Sequence, residues 1–81
     1  MPKLRVLSSR QVLTIFTEFG FLPFLQRGSH IKLRRTLKDG RSQTLTFPNH
    51  DQIDRGTLGA IYRQASRFIA EHELRPRFFA D

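Results

Sequence analysis

A chain of 81 residues with a net charge of +7 can fold as one domain with a modest hydrophobic core, which leaves little room for a large substrate cavity or a cofactor fold. The absence of cysteine excludes disulfides and thiolate metal sites, and no apolar run approaches the ~20 residues of a membrane-spanning helix. Eleven of the 14 basic residues are arginine, whose planar fork of donors fits phosphate oxygens. The composition therefore favours a polyanionic partner, with nucleic acid, an acidic protein and a membrane surface as the alternatives. The N-terminal apolar run is too short for a signal peptide, so a cytoplasmic protein is expected.

The first predicted element is a helix from about Ser9 to Phe19. Ser8 and Gln11 have the spacing of a capping box, in which each side chain accepts a hydrogen bond from the backbone amide of the other residue. The residues that follow form one apolar stripe at helical spacing, made of Val12, Ile15, Phe16 and Phe19. Gly20 then predicts the end of the helix, because glycine adopts the left-handed conformation without a side-chain penalty.

Three strands are predicted after this helix, over about 21–27, 29–37 and 41–47. Pro23 cannot donate to a hydrogen-bond ladder, which places the first strand at an edge of the sheet. Apolar and polar residues alternate in the other two strands, so one face of the sheet is apolar. The opposite face carries the polar side chains of the second strand, which are His30, Lys32, Arg34 and Thr36.

The turn between the last two strands determines how they pair. A two-residue loop would set apolar residues against polar ones, whereas a three-residue loop over 38–40 sets Leu33 opposite Leu45. The longer loop keeps each face uniform and requires its glycine in the left-handed conformation. It also brings His30 next to Pro48.

A second helix is predicted to begin at Gly56-Thr57. Its buried stripe consists of Leu58, Ile61, Ala65 and Phe68, while its outer face carries Arg63, Gln64 and Arg67. In the C-terminal segment, Pro76 interrupts any continuous helix, and Phe78-Phe79 predicts a short closing turn or helix on the core. The phenylalanines at 16, 19, 21, 24, 47 and 68 are assigned to the core and not to base stacking.

These elements predict an α+β fold of order α-β-β-β-α, with a three-stranded antiparallel sheet and the helices on one face. Residues 1–81 are expected to form a single domain, with its core at about 7–70 and a C-terminal extension over 71–81. Because the helices cover the apolar face, the face that carries His30 is expected to be open to solvent.

His30 is the strongest candidate for chemistry in this chain. Histidine takes and returns a proton near neutral pH, and Gly28 allows a phosphate to approach the backbone closely. Lys32 and Arg34, on the same face, would hold that phosphate and stabilise the charge that develops on it. A lone surface histidine more often has no catalytic role, so the interpretation depends on these neighbours.

Other positions are weaker candidates. His50, just after Pro48, is balanced between simply ending a strand and joining the site, and His72 is expected to be plain surface. Arg63 and Arg67 lie four residues apart on the second helix, either as a solvated face or as contacts to a nucleic-acid backbone. The free amides at the start of that helix could hold one phosphate. The histidines lack the spacing of a zinc site, and no G-x-S-x-G elbow supports a serine hydrolase.

In their order and spacing, several short motifs resemble the HicA family of small toxins, the mRNA interferases of HicA–HicB toxin–antitoxin pairs. The motifs are Glu18-Phe19-Gly20-Phe21, Gly28-Ser29-His30, Asp39-Gly40-Arg41, Pro48-x-His50, and Gly56-Thr57-Leu58 followed by Ile61-x-Arg63-Gln64-Ala65. The resemblance covers residues 7–70 approximately. Ile31 stands where polar residues are frequent in the family, and the segment from Glu71 onward is longer and more aromatic than the minimal pattern.

The resemblance implies a fold like the double-stranded-RNA-binding domain, and it makes His30 the catalytic residue of a metal-independent endoribonuclease that cleaves mRNA. It also implies an acidic HicB-type antitoxin as the protein partner, and neither a metal nor a cofactor at the site. The expected RNA contacts are Gly28, Ser29, Lys32, Arg34, His50, Arg63 and Arg67. Two other functions are left open by the residues alone: an RNA-binding module of the same fold without catalysis, and a basic domain that binds an acidic protein and never meets RNA.

Overall fold

Residues 2–80, which the computed structural model describes, form one three-stranded sheet, three helices and a small two-stranded ribbon. In chain order the elements are β1 (Lys3–Leu4), α1 (Ser9–Glu18), β2 (Leu22–Arg27), β3 (His30–Thr36), β4 (Ser42–Pro48), α2 (Arg55–Ala65), α3 (Glu71–Phe78) and β5 (Phe79–Ala80). The antiparallel sheet has the strand order β2-β3-β4, and β1 pairs with β5 in the ribbon. The predicted α+β fold and its α-β-β-β-α arrangement are confirmed. Within 2–80, every helix is too short or too polar to cross a lipid bilayer.

The first helix begins where the capping box predicts. The Ser8 hydroxyl accepts a hydrogen bond from the Gln11 amide at 3.1 Å, and the Gln11 side chain accepts one from the Ser8 amide at 2.8 Å. The helix ends at Glu18, one residue earlier than predicted, and Gly20 follows with a φ of +91°. This left-handed conformation is strained for residues with a side chain, so glycine allows the chain to turn into β2 at little cost.

The strands β3 and β4 have the register that a three-residue loop requires. The apolar pairs are Leu33 with Leu45 and Ile31 with Phe47. The loop closes through a hydrogen bond from the Gly40 amide to the Leu37 carbonyl at 2.9 Å, with Gly40 at a φ of +91°. These apolar pairs therefore lie on one face of the sheet, as the alternation predicts.

The hydrophobic core lies between this apolar face and the helices. Side chains that are almost completely buried come from every layer, and include Phe16, Leu33, Leu45, Leu58, Leu74 and Phe78. The Phe16 ring lies 6.0 Å from the Phe47 ring and 5.8 Å from the Phe78 ring, measured between centroids. Because these three rings come from α1, β4 and α3, one aromatic cluster holds the first and last parts of the chain on the sheet.

The prediction that Pro76 interrupts the C-terminal helix is wrong. Pro76 lies inside α3, close to its end, where a proline removes a single intrahelical hydrogen bond. The Arg5 side chain donates to the carbonyls of Pro76 at 3.4 Å and Phe79 at 3.3 Å, so groups at this helix end find a partner elsewhere in the chain. The ribbon of β1 and β5, which no sequence pattern predicts, follows directly.

The second helix differs from the prediction mainly on its outer face. Tyr62 is buried although it lies outside the predicted stripe, and Arg67 lies beyond the end of the helix at Ala65. The Gln64 side chain does not face outward: it accepts a hydrogen bond from the Thr46 amide at 3.0 Å and donates to the Thr46 carbonyl at 3.1 Å. Gln64 thus supplies the donor and acceptor of a neighbouring strand, and α2 covers the outer edge of β4 at this point.

Arg35 connects the sheet to the ends of two helices. Its guanidinium donates to the Phe19 carbonyl at the end of α1 and to the Phe68 carbonyl just after α2, both at 2.9 Å. It also donates to the Gln43 side chain at 2.7 and 2.9 Å and lies 4.6 Å from the centre of the Phe21 ring. The alternation along β3 puts Arg35 on the same face as Leu33, and there it joins three layers of the fold.

Replacing Arg35 with alanine is expected to lower the free energy of unfolding by about 1.5–3 kcal/mol, because two part-buried carbonyls lose a charged donor. Urea unfolding of the purified protein measures this change. The matched control is Arg41→Ala, since Arg41 pairs with Asp39 at 2.6 Å on an exposed turn and exposed ion pairs contribute about 0–1 kcal/mol. Equal losses in the two variants would contradict a structural role for the Arg35 contacts.

Candidate nucleic-acid interface

The face of the sheet opposite the helices is exposed and basic. On β3 it carries His30, Lys32 and Arg34. Directly paired residues share a face, so this surface also includes Leu22, Leu25, Arg27, Thr44, Thr46 and Pro48. We call these residues, together with Phe24 described below, the open face. No side chain among them is acidic, and the surface therefore favours a polyanion.

A two-residue turn fixes His30 at the end of its strand. Gly28 has a φ of +59° and Ser29 a negative φ, the pattern of a type II′ hairpin turn. Arg27 and His30 form the pair that closes the hairpin, and Pro48 lies on the other side of His30. The histidine therefore occupies the central strand in the last row of the sheet, with a cation beside it.

Backbone hydrogen bonds anchor this turn to the segment after β4. The Asn49 amide donates to the Ser29 carbonyl at 2.6 Å, and the Ser9 amide donates to the His50 carbonyl at 3.0 Å. The Ser9 hydroxyl contacts the Asn49 side-chain oxygen at 2.9 Å. The start of α1, the hairpin turn and His50, whose side chain is exposed, thus meet at the end of the sheet that carries His30.

The cations of the open face lie at unequal distances from His30. Arg27 is its direct cross-strand partner, and such pairs have Cα atoms about 4.5–5.5 Å apart. Lys32 is two residues along the strand, a distance of about 6.5 Å, and Arg34 is four residues along, at about 13 Å. The predicted sharing of one face by His30, Lys32 and Arg34 is present, but Arg27, which the sequence reasoning missed, lies closer. Its position just before a two-residue turn is the signal that identifies it.

An apolar patch lies on the same face, on β2. The pairing register shifts between Pro23 and Leu25, which marks a β-bulge that accommodates one extra residue. Phe24 turns its ring to the open face, where the guanidinium carbon of Arg34 lies 4.1 Å from the ring centre. Leu22, Phe24 and Leu25 are 59%, 43% and 40% exposed. The assignment of Phe24 to the core is therefore wrong, because its ring lies at the bulge and on the face opposite the helices.

Arg63 and Arg67 lie beside the sheet and not on its open face. Together with Ala60 and Gln64 they line a shallow surface along α2, and both arginines are exposed. Gln64 joins this surface to the sheet through its hydrogen bonds to Thr46. The two arginines thus border the β4 side of the sheet, while the apolar patch borders the β2 side.

The N-terminus of α2 already has an anionic cap. Asp54 accepts hydrogen bonds from the Thr57 hydroxyl at 2.6 Å and the Thr57 amide at 3.0 Å. These two hydrogen bonds, the hydroxyl first, hold the pKa of the Asp54 carboxyl below its ordinary value. Because a carboxylate occupies the position that a phosphate would take, this helix start is not the phosphate site that its free amides suggested.

Side chains that commonly bind metals are dispersed over the described part of the chain. His30 lies on β3, His50 follows β4, and His72 is exposed on α3. Among residues 2–80, no three His, Asp or Glu side chains come close enough together to hold a metal ion.

Comparison with known protein families places this arrangement in context. The model of the family described as the HicA toxin of bacterial toxin–antitoxin systems matches residues 9–66, more than two thirds of the chain. The chain belongs to the HicA toxin family. The matched segment runs from the start of α1 to just beyond α2, so it contains the whole three-stranded sheet, the turn that carries His30, and Arg63. Arg67, α3 and β5 lie outside it.

Membership of the HicA toxin family confirms the resemblance found in the motifs and implies pairing with an antitoxin. A search of curated proteins and a search of solved structures each returned no match. The likeness to a double-stranded-RNA-binding domain therefore depends on the α-β-β-β-α order of this HicA-family chain, and it stays a prediction.

Proposed function

We propose that this HicA-family protein is an endoribonuclease that cleaves mRNA, with His30 as its catalytic residue. The observation that carries the proposal is an exposed histidine in the last row of the open face, paired directly with Arg27 and followed by Lys32 along the strand. A proton-exchanging group thus stands beside two cations on a surface without carboxylates. In RNA, the ribose 2′-hydroxyl, whose proton a histidine can remove, lies next to the phosphate that the cations would bind.

The chemistry uses the ribose 2′-hydroxyl as the nucleophile. His30 removes the hydroxyl proton, the 2′-oxygen attacks the adjacent phosphorus, and the bond from phosphorus to the 5′-oxygen breaks. The imidazolium returns the proton to the leaving 5′-oxygen, so the products end in a 2′,3′-cyclic phosphate and a 5′-hydroxyl. A positioned proton-transfer group contributes about 10²–10⁴-fold in rate, which is enough for a slow enzyme with toxic consequences.

Arg27 and Lys32 stabilise the negative charge that develops on the phosphate oxygens during this step. Gly28 leaves the approach to the turn open, since a Cβ atom at this position would meet nothing within 4 Å. Ser29 and His50 border the same end of the sheet and would contact the RNA there. Arg34, Arg63 and Arg67 would bind the backbone further along, as contacts that position the strand without reading its sequence.

Expression in a bacterium without the antitoxin tests this function. The wild type is expected to arrest growth and to fragment mRNA, whereas His30→Ala, expressed to the same level, is expected to do neither. Co-expression of the antitoxin with the wild type is expected to restore growth. Equal toxicity of the two variants would contradict the role of His30, and arrested cells with intact mRNA would contradict a ribonuclease.

A further inference from the structure

The apolar patch of the open face has no role in the cleavage chemistry proposed above. Leu22, Phe24 and Leu25 stand in a surface that otherwise carries cations and threonines. A regular strand would turn Leu25 to the opposite face from Phe24, and it is the bulge after Pro23 that brings both to the open side. Bulges of this kind often re-aim a side chain next to a functional site.

The Phe24 ring is held in place by Arg34. With the guanidinium carbon 4.1 Å from the ring centre, the pair has the geometry of a cation–π contact. Bases of single-stranded RNA stack both on aromatic rings and on guanidinium planes. The pair therefore presents a surface with the chemistry that a nucleobase recognises, while 43% of Phe24 stays accessible to solvent.

The position of the pair fits a strand of RNA that passes over His30. Arg34 lies about 13 Å from His30 along β3, which a short stretch of single-stranded RNA spans. Lys32 lies between the two points and Arg27 lies directly beside His30, and both would contact the phosphates. RNA is the ligand that the surroundings of the patch favour, because Arg27, Lys32 and Arg34 give the same face positive charge with no carboxylate among them. A base can also stack on the ring and the guanidinium that the patch offers.

We propose that Phe24 and Arg34 form a stacking site for one base of a single-stranded RNA substrate, a short distance along the strand from the phosphate that His30 attacks. The site makes Phe24 a specificity-determining residue, since it selects unpaired RNA whose bases are free to stack. This inference rests on the proposed ribonuclease function for its substrate.

The test measures binding separately from cleavage, with the full-length protein. The ligand is a short single-stranded 2′-O-methyl RNA, which lacks the attacking hydroxyl, and fluorescence anisotropy gives its Kd. Phe24→Ala and Phe24→Leu are expected to weaken binding by roughly 5- to 150-fold, the effect of losing one base–aromatic stack. Phe24→Trp is expected to bind at least as tightly as the wild type. The matched control is Val6→Ala, which removes an exposed apolar side chain between β1 and α1 and is expected to leave Kd unchanged.

A set of ligands with one abasic nucleotide at successive positions identifies the stacked base. At one position the abasic ligand is expected to lose affinity for the wild type and no further affinity for Phe24→Ala, because the two changes remove the same contact. Circular dichroism of each variant establishes that it is folded.

Several results would overturn the stacking site. Wild-type affinity in Phe24→Ala would do so, as would wild-type affinity in Phe24→Leu, because a leucine has no ring to stack. Unchanged RNA binding by Phe24→Ala together with weakened antitoxin binding would show a protein-docking patch instead.

If the wild type cleaves ordinary RNA and Phe24→Ala binds and cleaves equally well, the stacking site alone fails. If binding depends on Phe24 but ordinary RNA is never cleaved, the stacking site stands and the ribonuclease proposal fails.

Discussion

Replacing His30 with glutamine is expected to slow RNA cleavage by about 10²–10⁴-fold, because glutamine hydrogen-bonds but does not exchange a proton near neutral pH. His30 is exposed, so the unfolding temperature of the variant is expected to stay close to that of the wild type. Single-turnover cleavage of a short single-stranded RNA measures the rate. EDTA in the reaction removes free divalent ions, which cleave RNA on their own.

His72→Gln is the matched control for this substitution. His72 is an exposed histidine on α3, away from the open face, and its replacement is expected to leave the rate unchanged. A wild-type rate in His30→Gln would remove His30 from the chemistry. A loss of the same size in His50→Gln would show that proton transfer is divided between the two histidines at this end of the sheet.

Removing one 2′-hydroxyl from the substrate, at the nucleotide 5′ to the cleaved bond, is expected to abolish cleavage at that bond. The attacking oxygen is then missing, whereas the phosphates that provide most of the contacts are unchanged. Affinity for the substituted RNA is therefore expected to stay near that for the unmodified strand. Gel analysis of the two substrates, with DNA of the same sequence alongside, measures cleavage, and anisotropy measures binding.

The end groups of the fragments give an independent reading of the same mechanism. Attack by the 2′-oxygen leaves a 2′,3′-cyclic phosphate and a 5′-hydroxyl. Cleavage of the deoxy-substituted site or of DNA at a rate comparable to that of RNA would contradict this nucleophile. A 5′-phosphate on the fragments would indicate attack by water in its place.

The parts of the fold that sequence patterns predicted are those set by strong local signals. The capping box at Ser8 starts α1, and the pairing of β3 with β4 follows from keeping Leu33 opposite Leu45. In both cases the alternative is costly: an uncapped first turn, or a register that turns every apolar side chain to water. The exposure of His30 on the face opposite the helices follows from the same register.

The features that sequence patterns missed depend on contacts between distant segments. The bulge that exposes Phe24 shifts the period of β2 without any glycine to mark it. Pro76 is tolerated in α3 because it lies near the helix end, where its missing amide costs a single intrahelical hydrogen bond. The contact from Arg5, at the other end of the chain, to the Pro76 carbonyl joins two segments that are distant in sequence. Alternation puts Arg35 on the helix-facing side of β3, but only the folded chain shows that it donates hydrogen bonds to the ends of two helices.

The candidate site was predictable in part for the same reasons. The alternation along β3 placed Lys32 and Arg34 with His30, since residues two apart share a face. Arg27 required the recognition of a hairpin at Gly28 and Ser29, and therefore a pairing between β2 and β3 that the proline in β2 obscured. The position of Arg67, beyond the end of α2, required the exact length of the helix, which apolar spacing does not determine.

Gln64 has a consequence for how copies of this chain can associate. Its amide occupies the place against Thr46 that the backbone of a second molecule would otherwise take. At the opposite border, β2 has no neighbouring strand within residues 2–80. Gln64 therefore hinders the addition of a strand to β4 at Thr46, and in the three-stranded sheet it leaves β2 as the less obstructed border. Two copies that paired through β2 would each present the hindered β4 border to a third copy, which favours a closed pair over a filament.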